Sequence, residues 1–434
     1  MTNPAIPGAE FLPLDEIRLL QRERWARQRE YLQARSAFYG NNFAPLPRSL
    51  DEFVDFPLTD KQMLRDDQAR HPPFGSYLAS DADRISRVHR TSGTTGVAMN
   101  LALSRADAEM TASVAGRAQS AAGLGPGYRV VHCLNYCLWM GGYSDHAGLE
   151  ATGATVVPYG VGGSEGLIRV IQELGIDAIS CTPSYPGLLE QVIADKFPGL
   201  EPRDLGLRLG LFGGEPGLDE AAFRERLEST WGFEARNANF GVSDVLCNFA
   251  AQTEQCSDLH LVGCDVLYPE LIEPQSGDLL PWREGERGEL VLTHLAKECQ
   301  PLLRFRSGDI VDLTATDIAA CGRSAPRFRV VGRSDDMVVV RGLNLFPAMI
   351  GGVLHRFAEL SGGWQVRLDA PPPYDFLPLQ AELAYPVGEG EALARRVEAA
   401  IKAELGASAR VVLLDPGSLP RTEGKTRYVF RTCQ

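Results

Sequence analysis

The sequence predicts an α/β protein, with a large N-terminal α/β domain that includes a β-rich portion and a small C-terminal α+β domain. Three observations carry this expectation. From about residue 88 to 192, short β-branched runs alternate with helical stretches, the pattern of a parallel sheet covered by helices. From Gly288 onward strand-forming runs dominate, and after Gly332 strand and helix patterns return on a shorter scale. At 434 residues the chain is also too long for a single core.

The elements follow in order. Residues 14–39, rich in Leu, Arg, Glu and Gln at helical spacing, read as one or two scaffold helices. The strands 129–133, 154–158 and 178–181 are expected to form the parallel sheet, with helices over 104–122 and 165–174. A further apolar strand, 207–212, runs directly into Gly213, Gly214, Glu215 and Pro216. Ligands bind at the carboxyl ends of parallel strands, so this glycine pair is well placed to line a pocket. Strands over 289–293 and 309–313 belong to the β-rich portion. The C-terminal piece reads as strand 338–340, helix 347–358, helix 391–405 and strand 411–414.

Composition narrows the function. A net charge of −13 and an isoelectric point near 5.2 argue against a nucleic-acid partner, which needs a basic footprint. No apolar run is long enough for a membrane span, and residues 1–13 lack a signal-peptide pattern. Nine cysteines spread along such a chain read as reduced thiols of a cytoplasmic protein.

The stretch Thr91, Ser92, Gly93, Thr94, Thr95, Gly96 is the most informative. Hydroxyls and glycines with little bulk let successive backbone N–H groups converge on a polyphosphate. Alone, such a stretch is better explained by a surface turn. Its meaning comes from four later motifs in fixed order: Asn239 to Asp244 (NFGVSD), Arg304 to Asp309 (RFRSGD), Gly332 to Asp336 (GRSDD) and Pro420 to Lys425 (PRTEGK).

This ordered set resembles the superfamily of adenylate-forming enzymes, and several local phrases are similar to its phenylacetate-CoA ligase branch. The resemblance implies a fold whose small C-terminal domain is mobile. It implies domains over 1–333 and 334–434, with a hinge near Asp335. The implied reaction joins a carboxylic acid to ATP as acyl-AMP, then passes the acyl group to the thiol of coenzyme A, releasing AMP and pyrophosphate. Lys425 is implied to bridge the acyl carboxylate and the α-phosphate. Asp309 is implied to accept both ribose hydroxyls, with Arg333 helping to fix the same ribose. Thr91, Ser92, Gly93, Thr94, Thr95, Gly96, Gly214, Glu215, Pro216, Asn239, Phe240 and Gly241 complete the nucleotide site, Phe240 stacking on adenine. Arg341 and Gly342 are implied to line the pantetheine tunnel.

Two positions depart from the family pattern. Asp244 stands where a glutamate Mg²⁺ ligand is usual, so the charge is kept on a side chain one methylene shorter. Val97 replaces a lysine that often follows the glycine-rich loop, which removes one phosphate-facing cation.

The acid is expected between Gly213, Gly214, Asn239 and the aromatic and glycine run holding Tyr136, Trp139, Gly141 and Gly142. A small aromatic acid of the benzoate, anthranilate or phenylacetate type fits that run, and secondary metabolism is one setting for it. Ser144, Asp145 and His146 stand ready to bond a ring amino or hydroxyl group. Cys256, His260 and Cys321, with Cys299 or Cys264 as a fourth ligand, resemble a structural Zn²⁺ site of part of the branch. An acyl carrier protein is the alternative thiol acceptor. A degenerate, non-catalytic nucleotide-binding protein is the non-enzyme alternative. A P-loop phosphotransferase is disfavoured, because no Gly-Lys-Ser/Thr follows the glycine-rich loop. The resemblance also implies a homodimer.

Overall fold

The computed structural model describes residues 8–43, 45–91, 98–215, 217–419 and 427–432. The expected site residues Ser92, Gly93, Thr94, Thr95, Gly96, Pro216 and Lys425 therefore lie outside the described residues. Within them the chain forms a large sheet-rich domain and a smaller C-terminal domain, as expected.

The helix Leu14–Arg35 buries Ile17, Gln21, Trp25, Gln28 and Leu32, a stripe spaced by three and four residues. Its polar members are satisfied by distant backbone: Gln21 donates to Cys264 O at 2.7 Å and Gln28 to Lys297 O at 2.8 Å. The helix Arg105–Ala121 opens on a capping box in which Ser104 and Asp107 each accept the other's backbone N–H. Helix Met140–Ala151 lies hard against it. A Cβ on Gly148 would sit 2.4 Å from that of Ala115, so only glycine allows the approach.

One continuous sheet of twelve strands runs through the large domain, so the β-rich portion is not a separate sheet. Five parallel strands occupy one end: Thr155–Pro158, Arg129–His132, Ala178–Cys181, Leu209–Gly213 and Glu234–Val242, in that spatial order. Beyond Glu234–Val242 the ladder turns antiparallel and ends at Leu279–Leu280. Numbered in chain order, the parallel strands read 2-1-3-4-5. The winding therefore reverses between Arg129–His132 and Ala178–Cys181, and a crevice opens where their carboxyl ends diverge.

The C-terminal domain has its own apolar core, from Val338 to Val429, under a four-stranded mixed sheet. Helices Pro347–Leu354 and Gly390–Leu405 cover it, the second stopping at Gly406 in the left-handed region (φ 72°). The first is four residues shorter than expected. No helix among the described residues is long and apolar enough to cross a membrane.

Candidate active site

The crevice at the winding reversal is where the site is built. A cleft of about 1000 Å³ opens there, between Cys133, Leu134, Thr182 and Ser184 of the large domain and Trp364 and Tyr428 of the small one. Strand Leu209–Gly213 delivers Gly214 (φ 84°) and Glu215 beside it, and Ser184 Oγ donates to the Glu215 carboxylate at 2.7 Å. A Cβ on Gly213 would lie 2.4 Å from Asn239 O, so the glycine holds two parallel strand ends in contact.

Asn239 donates a short hydrogen bond to the Asp145 carboxylate. Asp145 is fully buried, and its other oxygen, Oδ1, has no hydrogen-bond partner among the described residues. Burial raises its pKa to about 7 against the opposing bonds from Asn239 and the Cys247 thiol. Because the folded pKa lies above the unfolded one, ionising Asp145 costs stability. That cost grows from about pH 4 to pH 7 and is constant above. An Asp145→Asn variant is accordingly expected to gain on the wild type across this range, by roughly 4 kcal/mol at its largest. Melting temperatures of the two proteins between pH 4 and 8 check this, and a difference that does not change with pH contradicts it.

Tyr136 lies in the loop after Arg129–His132. Its hydroxyl meets His146 Nδ1 at 2.9 Å, and its ring is edge-on to His132. His132 is buried, which lowers its pKa to about 4, and its Nε2 faces Gly142 O at 3.0 Å. Gly141 and Gly142 start the helix Met140–Ala151. A Cβ on Gly142 would fall 2.2 Å from Asn135 O, so chain packing already accounts for this glycine.

Thr91 marks the described edge of the glycine-rich loop. Its hydroxyl accepts the Met99 N–H at 3.0 Å, and its own N–H reaches Met99 O at 3.0 Å. The two flanks of the loop are thereby pinned together. On the neighbouring strands, Phe240 packs edge-on to Phe249 and Phe328. A Cβ on Gly241 would collide with Cys247 O at 1.9 Å.

Asp244 is buried, and one oxygen accepts from Lys61 Nζ at 2.8 Å. Its other oxygen has no partner among the described residues. Lys61 was not identified from sequence. One signal pointed to it: Asp60 caps the helix Lys61–Arg70, leaving a lysine at a helix N-terminus, where the helix dipole disfavours a cation.

Asp309 and Arg333 face each other across adjacent antiparallel strands. Arg333 Nη1 donates to Asp309 Oδ1 at 3.0 Å, while its Nε and Nη2 reach both oxygens of Asp335 at 2.8 and 3.3 Å. Burial opposes the Arg333 charge, but these carboxylates outweigh it and hold the pKa above its ordinary range. Arg431 donates to the backbone carbonyls of Asp335 and Met337, tying the last strand of the small domain to the crossing point. Arg341 (φ 48°) and Gly342 (φ 80°) form an exposed left-handed turn, with Arg341 3.2 Å from Asp375. In this arrangement the turn lies in solvent.

The zinc expectation, on Cys256, His260 and Cys321 with Cys299 or Cys264, is not shown among the described residues. Among the described residues no three His, Cys, Asp or Glu side chains come together as a metal-holding group. Cys299 is engaged elsewhere, 3.1 Å from Ser80 Oγ and held by its backbone N–H on Asp107. His260 is buried beside Arg323 and Arg327 with its pKa lowered to about 4, first by desolvation and then by those cations. Cys264 is buried away in the core and also joins no such group. Eight cysteines are described, and all are free thiols.

Comparison with known proteins agrees with this arrangement. Residues 342–432 match the model of the AMP-binding enzyme C-terminal domain. The chain is 33% identical to a phenylacetate-coenzyme A ligase of Thermus thermophilus, with 98% of each chain covered. It also overlays on 2-hydroxyisobutyryl-CoA ligase holding its acyl-adenylate in the postadenylation state, at 29% identity and a TM-score of 0.89, covering 99% of this chain and 91% of that one. With the same enzyme in its thioesterification state the TM-score falls to 0.71, at 30% identity and coverage of 98% and 91%. The domain arrangement seen here is therefore more similar to that of the postadenylation structure than to that of the thioesterification structure. A small domain poised over a crevice at the strand ends, at this similarity over nearly full length, places the chain in the phenylacetate-CoA ligase family of adenylate-forming, AMP-forming acid–thiol ligases.

Proposed function

We propose that this ligase activates a small aromatic carboxylic acid, of the benzoate, anthranilate or phenylacetate type, and transfers it to coenzyme A. The observation that carries the aromatic assignment is the wall at the winding reversal. There Tyr136, His132 and His146 stand ring against ring, beside the Asn239–Asp145 pair. Ring contacts of this kind suit a flat acid. The unpartnered Asp145 oxygen suits a ring substituent that donates a hydrogen bond.

The roles of the other residues follow from their chemistry. Asp309, already oriented by Arg333, offers a carboxylate to the ribose hydroxyls. Phe240 gives adenine an aromatic neighbour. The buried, half-paired Asp244 carboxylate is a hard oxygen donor suited to Mg²⁺, which supplies charge neutralisation at the phosphates when bound. Lys61, bound to the same carboxylate, holds it in place and brings positive charge to the site. Lys425 neutralises charge as the acyl oxygen displaces pyrophosphate from the α-phosphorus. Asp335 serves as the hinge between domains 1–333 and 334–434, and Arg341 and Gly342 swing in from solvent to line the pantetheine path.

Acid-dependent pyrophosphate release, measured over a panel of benzoates, phenylacetates, aminobenzoates and short aliphatic acids, tests this reading. Aromatic acids are expected to give turnover well above the aliphatic ones. Turnover with aliphatic acids alone contradicts the substrate class.

A further inference from the structure

Where the small domain touches the large one, a compact contact forms on the wall of the interdomain cleft, which Phe223 and His355 help to line. Glu220 sits at the N-cap of helix Ala221–Trp231 in the large domain, and His355 at the C-cap of helix Pro347–Leu354 in the small one. Their side chains meet, His355 Nδ1 to Glu220 Oε2, at 3.1 Å. Each helix end favours the charge its residue carries in an ion pair, negative at the N-terminus and positive at the C-terminus. The imidazole also stacks on Phe223, with centroids 5.3 Å apart and planes 22° from parallel. Room for the carboxylate comes from Gly351 and Gly352: a Cβ at 352 would lie 3.2 Å from the Glu220 carboxyl carbon, tighter than ordinary contact. Both ionisable side chains are mostly withdrawn from water, 24% and 19% exposed.

We propose that Glu220, Phe223 and His355 form an interdomain latch that positions the small domain for adenylate formation and must open before the thiol can attack. The proposal rests on the two-domain reading above. Three features, a carboxylate–imidazole contact, a ring stack and a glycine recess, converge where one helix start of the large domain meets one helix end of the small domain. The far better overlay on the postadenylation arrangement than on the thioesterification arrangement shows which of two states this contact accompanies. A contact made in one state and not the other shifts the balance between them by its own free energy. For a partly buried pair with a stacked ring, that corresponds to roughly fivefold to tenfold in population. These are positioning residues, acting through the small domain on the first half-reaction only.

The test separates the two half-reactions in the full-length enzyme. His355→Glu sets two carboxylates against each other; the charge-reversed pair Glu220→Lys with His355→Glu restores attraction. We expect His355→Glu to slow acid-dependent pyrophosphate release about fivefold to tenfold, to leave thioester formation from supplied acyl-AMP and coenzyme A unchanged or faster, and to be largely rescued by Glu220→Lys. Phe223→Ala is a second, milder variant with the same expected split. Equal slowing of both half-reactions, no slowing of the first, or no rescue in a folded double variant overturns the latch. Small-angle scattering of the unliganded chain is an independent reading: His355→Glu is expected to widen the distance distribution, and an unchanged curve counts against the proposal. Failure of the wild type to release pyrophosphate with the chosen acid speaks against the substrate class, while the scattering comparison still judges the latch.

Discussion

Replacing Lys425 with alanine is expected to slow acyl-adenylate formation by on the order of a hundredfold or more, while coenzyme A attack on supplied acyl-AMP is largely kept. The reason lies in where charge develops. A carboxylate attacks a phosphorus that already carries negative oxygens, and pyrophosphate leaves with more. A cation held at the junction of nucleophile and phosphate lowers that barrier directly, and no neutral side chain replaces it. The described residues on either side, Leu419 and Arg427, both line the interdomain cleft opposite Thr182 and Glu215. Leu419 is anchored there by its N–H on the Glu382 carboxylate at 2.7 Å, and Tyr428 by stacking on Trp364 at 4.4 Å. In the proposed scheme the second half-reaction uses the other domain arrangement, so it is expected not to need this charge. Quenched-flow measurement of each half-reaction checks the prediction. Equal damage to both steps contradicts it.

Asp309→Ala is expected to raise the KM for ATP by roughly tenfold to a hundredfold, with a smaller change in kcat. Two charge-assisted hydrogen bonds to the ribose are lost, each contributing on the order of 1.5 kcal/mol or more. The substitution also strips Arg333 of one of its two hydrogen-bonded carboxylates, leaving Asp335 and the Ser307 carbonyl to orient it. A modest loss of thermal stability should accompany the kinetic effect, because the guanidinium stays largely buried. Initial rates over a range of ATP concentrations read the split. A pure kcat effect with unchanged KM would place Asp309 outside the ribose site.

The parallel strands were legible because buried strands in such a sheet are short runs of nearly uniform apolar or small residues. Ala178–Cys181 and Leu209–Gly213 are buried throughout, and their sequences show it. Helix Met140–Ala151 was not legible. Gly141, Gly142, Ser144 and Gly148 are weak helix formers, and the run was read as a pocket wall. Tertiary contact overrides that propensity, since Gly148 lets this helix press against Ala115. Strands Glu234–Val242 and Leu246–Thr253 were not legible for another reason: Asn237, Asn239, Gly241, Asn248 and Gln252 interrupt any apolar run or alternation.

The site divides the same way. Asp309 and Arg333 belong to two motifs, and the structure places them on facing positions of one ladder. Lys61 belongs to no motif and reaches Asp244 from 183 positions away, a contact that only the fold creates. The zinc expectation rested on cysteine and histidine spacing, and spacing does not show which side chains the fold brings together; among the described residues Arg323 and Arg327 are the groups beside His260. The Glu220–His355 contact was equally invisible, because it joins two helix ends in separate domains.

One labelling experiment reaches the heart of this account. An aromatic acid carrying heavy oxygen in its carboxylate is turned over with ATP and coenzyme A, and the released AMP is weighed by mass spectrometry. Attack of the carboxylate on the α-phosphorus predicts one heavy oxygen atom in each AMP formed. Unlabelled AMP, or product formation with ADP and phosphate in its place, would contradict an acyl-adenylate made at this crevice.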